Sequence, residues 1–250
     1  MDEPLSNLDA KLRVSMRGSL KQLHERLGVT TVYVTHDQVE AMTLGSRVCV
    51  LRDGLLQQVD TPQYLFRAPV NLFVAGFIGS PAMNFVNAEL IRDGGAAVAF
   101  AGYKLPVPSD VFETRKGLSD FIGKRVILGI RPSDFEDAGL ADSGWGKMPV
   151  TATVTEELGT EIHVIFTIDA PPVEHASLTK AADKDDDDDS VAALVGGKSL
   201  WTARVSARSQ VKPGQPIELG VDTRHLHFFD PSTGLSIGHP KATAQLAEHG

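Results

Sequence analysis

Two short stretches hold the residues best suited to chemistry. Asp2 and Glu3 follow an apolar residue, Met1, and lead into Pro4-Leu5-Ser6-Asn7-Leu8-Asp9. An apolar residue followed by paired acids is how a buried strand brings two carboxylates to a metal-bound phosphate. The second stretch is Thr30-Thr31-Val32-Tyr33-Val34-Thr35, with His36 at its carboxyl end. Open α/β sheets place ligand contacts at such strand ends. Each stretch also has a plainer reading. An acidic pair can be a polar amino terminus, and a lone histidine after an apolar strand is often structural. Their order, with a helix and a strand of suitable length between them, favours the chemical reading.

The elements that must position these groups follow from the pattern. Leu8, Leu12, Met16, Leu20, Leu23 and Leu27 recur at spacings of three and four, which predicts a helix with one apolar face. Ser6 and Asp9 fit a variant capping box at its start, and Gly28 is placed to end it. The β-branched run at 30–35 predicts a strand buried on both faces. A short helix over Gln38 to Leu44 follows, then a strand at Arg47–Arg52. Asp53-Gly54 predicts a tight hairpin returning through Leu55 to Val59. Thr61-Pro62 opens a further helix, with Thr as cap and Pro in the first position.

The character changes near Ser80-Pro81. Short strand-like runs follow, among them Val126–Ile130, Thr151–Val154, Ile162–Phe166 and Trp201–Val205, separated by Gly, Pro and Asp. This spacing predicts a small all-β barrel or sandwich. Asp183-Lys184-Asp185-Asp186-Asp187-Asp188-Asp189 reads as a solvated loop, since five consecutive like charges repel. A calcium site needs spaced ligands and a turn glycine, and the run has neither. Arg131, fixed before Pro132, suits a structural anchor, an interdomain salt bridge or an anion contact. The remaining histidines, among them His24, His163, His225 and His227, show no metal-ligand spacing.

The chain has 250 residues, 42% of them hydrophobic and 22% charged, enough for one large or two modest domains. Its net charge of -8 argues against a general nucleic-acid binder, which needs Lys and Arg to displace counterions. Cys49 is the single cysteine, so no intramolecular disulfide forms. In the alternating run at 47–52 it reads as a small core residue. No basic and apolar leader opens the chain. The best apolar stretch, Val70 to Gly79, is too short to span a bilayer. These features predict a cytoplasmic protein.

Met1–Asp9, and then Tyr33-Val34-Thr35-His36-Asp37-Gln38-Val39-Glu40-Ala41-Met42, resemble the nucleotide-binding subunit of ABC importers. Phe77-Ile78-Gly79-Ser80-Pro81-Ala82-Met83-Asn84-Phe85 is similar to the carbohydrate-import branch. Gly129-Ile130-Arg131-Pro132, Leu158-Gly159-Thr160-Glu161 and the segment from His227 to Gly234 resemble its appended OB-like β domain, often called TOBE. The resemblance implies an α/β remnant of an ABC ATPase domain over residues 1–79, a mostly β TOBE domain over 80–238 and a flexible tail over 239–250. It implies that Asp2 binds magnesium at ATP, that Glu3 is the general base and that His36 contacts the γ-phosphate. Asp9 is then the aspartate of the loop that crosses a two-subunit interface. Its implied partners are a second copy, membrane permease subunits and a regulator on the β domain. Its implied place is the inner face of the cell membrane.

The chain departs from the family in one respect. The phosphate loop G-x-x-x-x-G-K-[ST], the glutamine loop and the L-S-G-G-Q signature do not occur in the 250 residues. The expectation is a truncated ATPase, inactive alone, whose residues 1–79 are poorly stable because their leucine face lacks its sheet. The rival expectation is a stand-alone regulatory β module with a vestigial ATPase stub.

Overall fold

The computed structural model describes residues 1–179 and 196–239, and the chain divides into two compact units, Met1–Pro69 and Val70 onward. The aspartate run at 183–189 and the tail after Pro240 lie outside the described residues.

In the first unit, α1 (Ala10–Leu27) starts where the Asp9 carboxylate accepts from the Leu12 N–H at 2.9 Å. It ends at Gly28, whose φ of 62° is open to glycine without steric cost. Ser6 takes no part in the cap; its hydroxyl donates to the Glu3 carbonyl. α2 (Gln38–Leu44) is capped by Asp37, which accepts from the Val39 and Glu40 N–H groups. β1 (Val48–Arg52) and β2 (Leu55–Asp60) form the expected hairpin. Its turn residues Asp53 and Gly54 sit at φ 50° and 77°, as a right-twisted two-residue turn requires. α3 (Pro62–Arg67) begins at the Thr61 cap with Pro62 in place.

Two expectations for this unit fail. The run at 30–35 is not a strand buried on both faces. It is an extended segment with one parallel bridge, Val34 to Asp2, and Val32 is 75% exposed. β-branched residues favour extended backbone, but a strand needs neighbours, and among the described residues only Met1–Glu3 pair with this one. Cys49 is exposed rather than a core residue. The alternation of β1 places Val50 inward and Cys49 outward. The leucine face of α1 also lies open, with Leu27 58% exposed and Leu12 and Leu23 exposed beside it.

The second unit opens with α4 (Leu72–Phe77), capped by Asn71. The compact division therefore falls ten residues before the change of sequence character at Ser80. It continues through β3 (Asn84–Arg92), β4 (Ala96–Phe100), β5 (Tyr103–Val107), α5 (Ser109–Thr114), β6 (Lys124–Ile130) and β7 (Phe135–Asp137). β8 (Gly146–Glu157), β9 (Glu161–Ile168), α6 (Ala176–Thr179), β10 (Ser199–Ser206), β11 (Pro216–Val221) and β12 (His227–Phe229) complete it. The strands make two five-stranded antiparallel sheets, ordered β12-β6-β3-β4-β5 and β10-β9-β8-β11-β7. All four strand-like runs named from the sequence fall in these sheets.

The sheets enclose one apolar core centred on Trp201, which is 1% exposed and packs against Phe100, Phe135 and Phe166 at ring distances of 5.8–6.3 Å. β6 is buried along both faces. Val126, Leu128 and Ile130 join the main core, while Ile127 joins Leu72, Ala75, Met83 and Phe229 in a second cluster. Gly129 belongs to this crowding, because a Cβ there would stand 2.5 Å from the Met83 sulfur. Arg131 is a structural anchor: its Nη1 donates to the Ile78 carbonyl at 2.7 Å, and burial lowers its pKa to about 10.

Asn84 joins the two sheets. Its buried amide nitrogen donates to the Ile130 and Thr202 carbonyls, and its oxygen accepts from the Thr202 N–H at 2.9 Å. Replacing it leaves three backbone groups to be resatisfied. Asn84→Ala therefore lowers the unfolding free energy by about 1–3 kcal/mol, read as a lower urea midpoint with an unchanged slope. An unchanged midpoint would remove Asn84 from this role.

Candidate functional site

The acid pair is positioned by backbone geometry. Val34 N–H donates to the Met1 carbonyl and Glu3 N–H donates to the Val34 carbonyl, each at 2.9 Å. The Met1 nitrogen reaches the Val32 carbonyl at 2.9 Å. This short parallel contact sets the segment carrying Asp2 and Glu3 beside the one that ends at His36. Glu3 itself has a φ of 40°, a left-handed conformation that side chains other than glycine adopt only at a cost.

The outcome is a direct contact between Glu3 Oε1 and His36 Nδ1 at 2.7 Å. The hydrogen bond to Glu3, followed by the charge of Glu3, raises the His36 pKa above the ordinary imidazole value. With Nδ1–H donating to the carboxylate, Nε2 has no partner among the described residues. The pair is accessible: the His36 side chain is 74% exposed and that of Glu3 42%. A cleft lined by Glu3, Ser6, Arg13, Thr35, His36 and Asp37 has room of about 10 Å³, enough for about one water molecule.

Sequence reasoning missed the polar scaffold behind the pair. Glu40 is 2% exposed, and its Oε2 accepts from the Tyr33 hydroxyl and the Thr35 hydroxyl, each at 2.9 Å. Burial, and then the bond to Glu40, push the Tyr33 hydroxyl up to about 12. Arg13 reaches Asp37 at 3.4 Å and donates to the Leu8 carbonyl at 3.1 Å, which ties α1 to the turn after His36. The available signal was Glu40 in the third helical position after the Asp37 cap, where an acid reads as half of a capping box.

The other two candidates stand apart. Asp2 is exposed, and its carboxylate makes no hydrogen bond or ion pair among the described residues. The Asp9 carboxylate is occupied in capping α1, and Asp9 does not line the cleft of Glu3 and His36. Among the described residues no group of three or more His, Cys, Asp or Glu side chains could hold a metal. Asp2 alone still suits magnesium, which keeps several waters and takes one or two carboxylates together with phosphate oxygens.

The chain's single Gly-Lys-Ser, Gly197-Lys198-Ser199, is no phosphate loop. It turns into β10 rather than into a helix, with Lys198 3.4 Å from Asp169 and the Ser199 hydroxyl donating to the Ala170 carbonyl. Among the described residues no helix is long and apolar enough to cross a membrane.

Residues 79–135, which run from the end of α4 to the start of β7, match the MalK OB fold domain family, so the second unit carries an OB fold domain of that type. The similarity to known proteins extends well beyond this domain. The chain is 43% identical over 249 residues to the trehalose import ATP-binding protein SugC of Mycobacterium tuberculosis, across 96% of this chain and 59% of that protein. It is 40% identical over 242 residues to the trehalose/maltose import ATP-binding protein MalK of Thermococcus litoralis, across 95% and 56%. To the diacetylchitobiose uptake system ATP-binding protein MsiK of Streptomyces coelicolor it is 42% identical over 247 residues, across 94% and 57%. The chain thus spans little more than half the length of these relatives.

The contact between Glu3 and His36 makes a titration prediction. A histidine whose folded-state pKa is raised contributes its stabilisation fully below the unfolded value of about 6.5 and loses it as pH rises through the folded value. The His36 ring titrates above about 6.5 by NMR, and Glu3→Gln moves its midpoint down towards that value. A midpoint indifferent to Glu3→Gln would mean the contact is absent in solution.

Proposed function

We propose that this chain is part of the ATP-binding subunit of an ABC importer for a sugar or related solute, and that it supplies the hydrolytic side of the ATP site. The observation that carries the reading is the 2.7 Å contact between Glu3 and His36 at the end of the parallel segment. In this reading Glu3 takes the proton of the attacking water. His36 holds the carboxylate through Nδ1 and turns Nε2 towards the γ-phosphate. Asp2 holds magnesium, which would neutralise charge at the β- and γ-phosphates. Asp9 serves the α1 cap within this chain and faces the subunit interface in the assembled pair.

The residues that cradle the phosphates lie outside this sequence in the proposal, so the chain alone does not turn over ATP. Its partners are a second ATP-binding subunit and the permease subunits, at the cytoplasmic face of the membrane, with a regulator on the β domain. The rival, a stand-alone β module, draws on the concentration of the apolar core in the second unit. It is not favoured, because similarity to ATP-binding proteins runs through 94–96% of the chain, the first unit included.

The test is kinetic. In an ATP-competent assembly containing this chain, Glu3→Gln lowers the hydrolysis rate by about 10²- to 10⁴-fold, as loss of a general base does. The affinity for ATP stays within about threefold, since the substitution touches the water rather than the phosphates. Retention of more than about a tenth of the rate would overturn the assignment.

A further inference from the structure

The second unit contains an open groove with about 490 Å³ of free volume that the ATPase reading does not use. It lies where β7 and β10, the two outer strands of one sheet, curl towards each other. No continuous ladder joins them. The seam is closed by side chains: Glu136 Oε1 accepts from the Ser206 N–H at 2.9 Å, and the Ser209 hydroxyl donates to Asp137. A seam closed in this way leaves room beside it, and the volume falls within the range of small-molecule sites, about 300–1,000 Å³.

The wall has a definite chemistry. Trp145 supplies an aromatic surface to the lining, while its indole N–H is shielded from solvent and so is not offered to the groove. Arg204 adds a donor to the lining, half-exposed, its Nε 3.6 Å from Glu161. Glu136, Glu161 and Asp142 add acceptors, and Ser206 adds a hydroxyl of both kinds.

This set discriminates among ligands. An anion would face three carboxylates against one guanidinium. A metal ion would face Arg204, with Glu136 and Glu161 already engaged by backbone N–H groups, His163 and Arg204. A purely apolar ligand would strand the polar groups at a desolvation cost. A neutral ligand dense in hydroxyls, which both donate and accept, can meet the guanidinium, the carboxylates and the Ser206 hydroxyl and lay a ring face on the indole. The acidic wall also disfavours nucleic acid, whose phosphates would meet the three carboxylates. We infer that this seam groove is a binding site for a neutral mono- or disaccharide. Because Glu136 both lines it and bridges β7 to β10, occupancy would bear directly on closure of the sheet. The inference stands on the groove alone and does not need the ATPase reading.

The experiment is calorimetric and fluorescence titration of the full chain with trehalose, maltose and glucose, and in parallel with inorganic phosphate and magnesium. At least one saccharide binds saturably with Kd below about 10 mM and shifts the emission of Trp145. Trp145→Ala weakens that binding at least about tenfold and Arg204→Gln at least about fivefold, consistent with lost stacking and hydrogen bonds. Arg204 is a partly exposed wall residue, so its variant decides the matter even where Trp145→Ala fails to fold. No saturable saccharide binding, preference for phosphate or magnesium, or undiminished binding by folded variants would each overturn the assignment.

Discussion

Apolar burial is distributed unevenly along this chain, and most of its other properties follow from that. The second unit folds around one continuous core between two five-stranded sheets, with Trp201 at its centre and β6 sharing its two faces between that core and the α4 cluster. Burying such side chains contributes roughly 1.5–3 kcal/mol each, so the sheets can carry local liabilities: a buried Arg131, an Asn84 amide used as a backbone substitute, and a seam closed by side chains. In the first unit, Leu5, Val50 and Leu65 are the buried apolar side chains, while one face of α1 and much of the segment at 29–34 lie open.

The chemically interesting residues sit in the unit with the smaller core, and polar contacts hold them. Three backbone hydrogen bonds align Met1–Glu3 with Val32–Val34. Glu40 gathers two hydroxyls, and Arg13 pins the turn after His36. Such a scaffold is specific in geometry because each hydrogen bond has a direction. Its net contribution is modest, about 0.5–1.5 kcal/mol for an ordinary bond. The positive φ of Glu3 adds a local cost at the very residue proposed to take the proton.

The local punctuation was legible in the sequence. Asp53-Gly54, Thr61-Pro62 and Gly28 each act through their own backbone preferences and fall where expected, while Asp9 caps α1 itself rather than completing a box with Ser6. The β runs also fall where expected, their alternation reflecting a sheet with one buried face. The proximity of Glu3 and His36 was legible only through resemblance, since 33 residues separate them. Features that depend on neighbours were not legible. The run at 30–35 carries every intrinsic mark of a central strand, yet among the described residues only Met1–Glu3 pair with it. Cys49 was assigned inward because alternation gives two faces without saying which is buried. Glu40 and the seam at Trp145 escaped notice because pairing across the fold makes them, and no local pattern encodes it.

The central claim is that these residues act on phosphates held by other parts of a larger site. Titrating the 250-residue chain with magnesium and ATP in a calorimeter tests it most directly. The account predicts no saturable heat up to about 1 mM ATP. Micromolar binding abolished by Asp2→Ala would contradict it, and would mean that this chain cradles the phosphates itself.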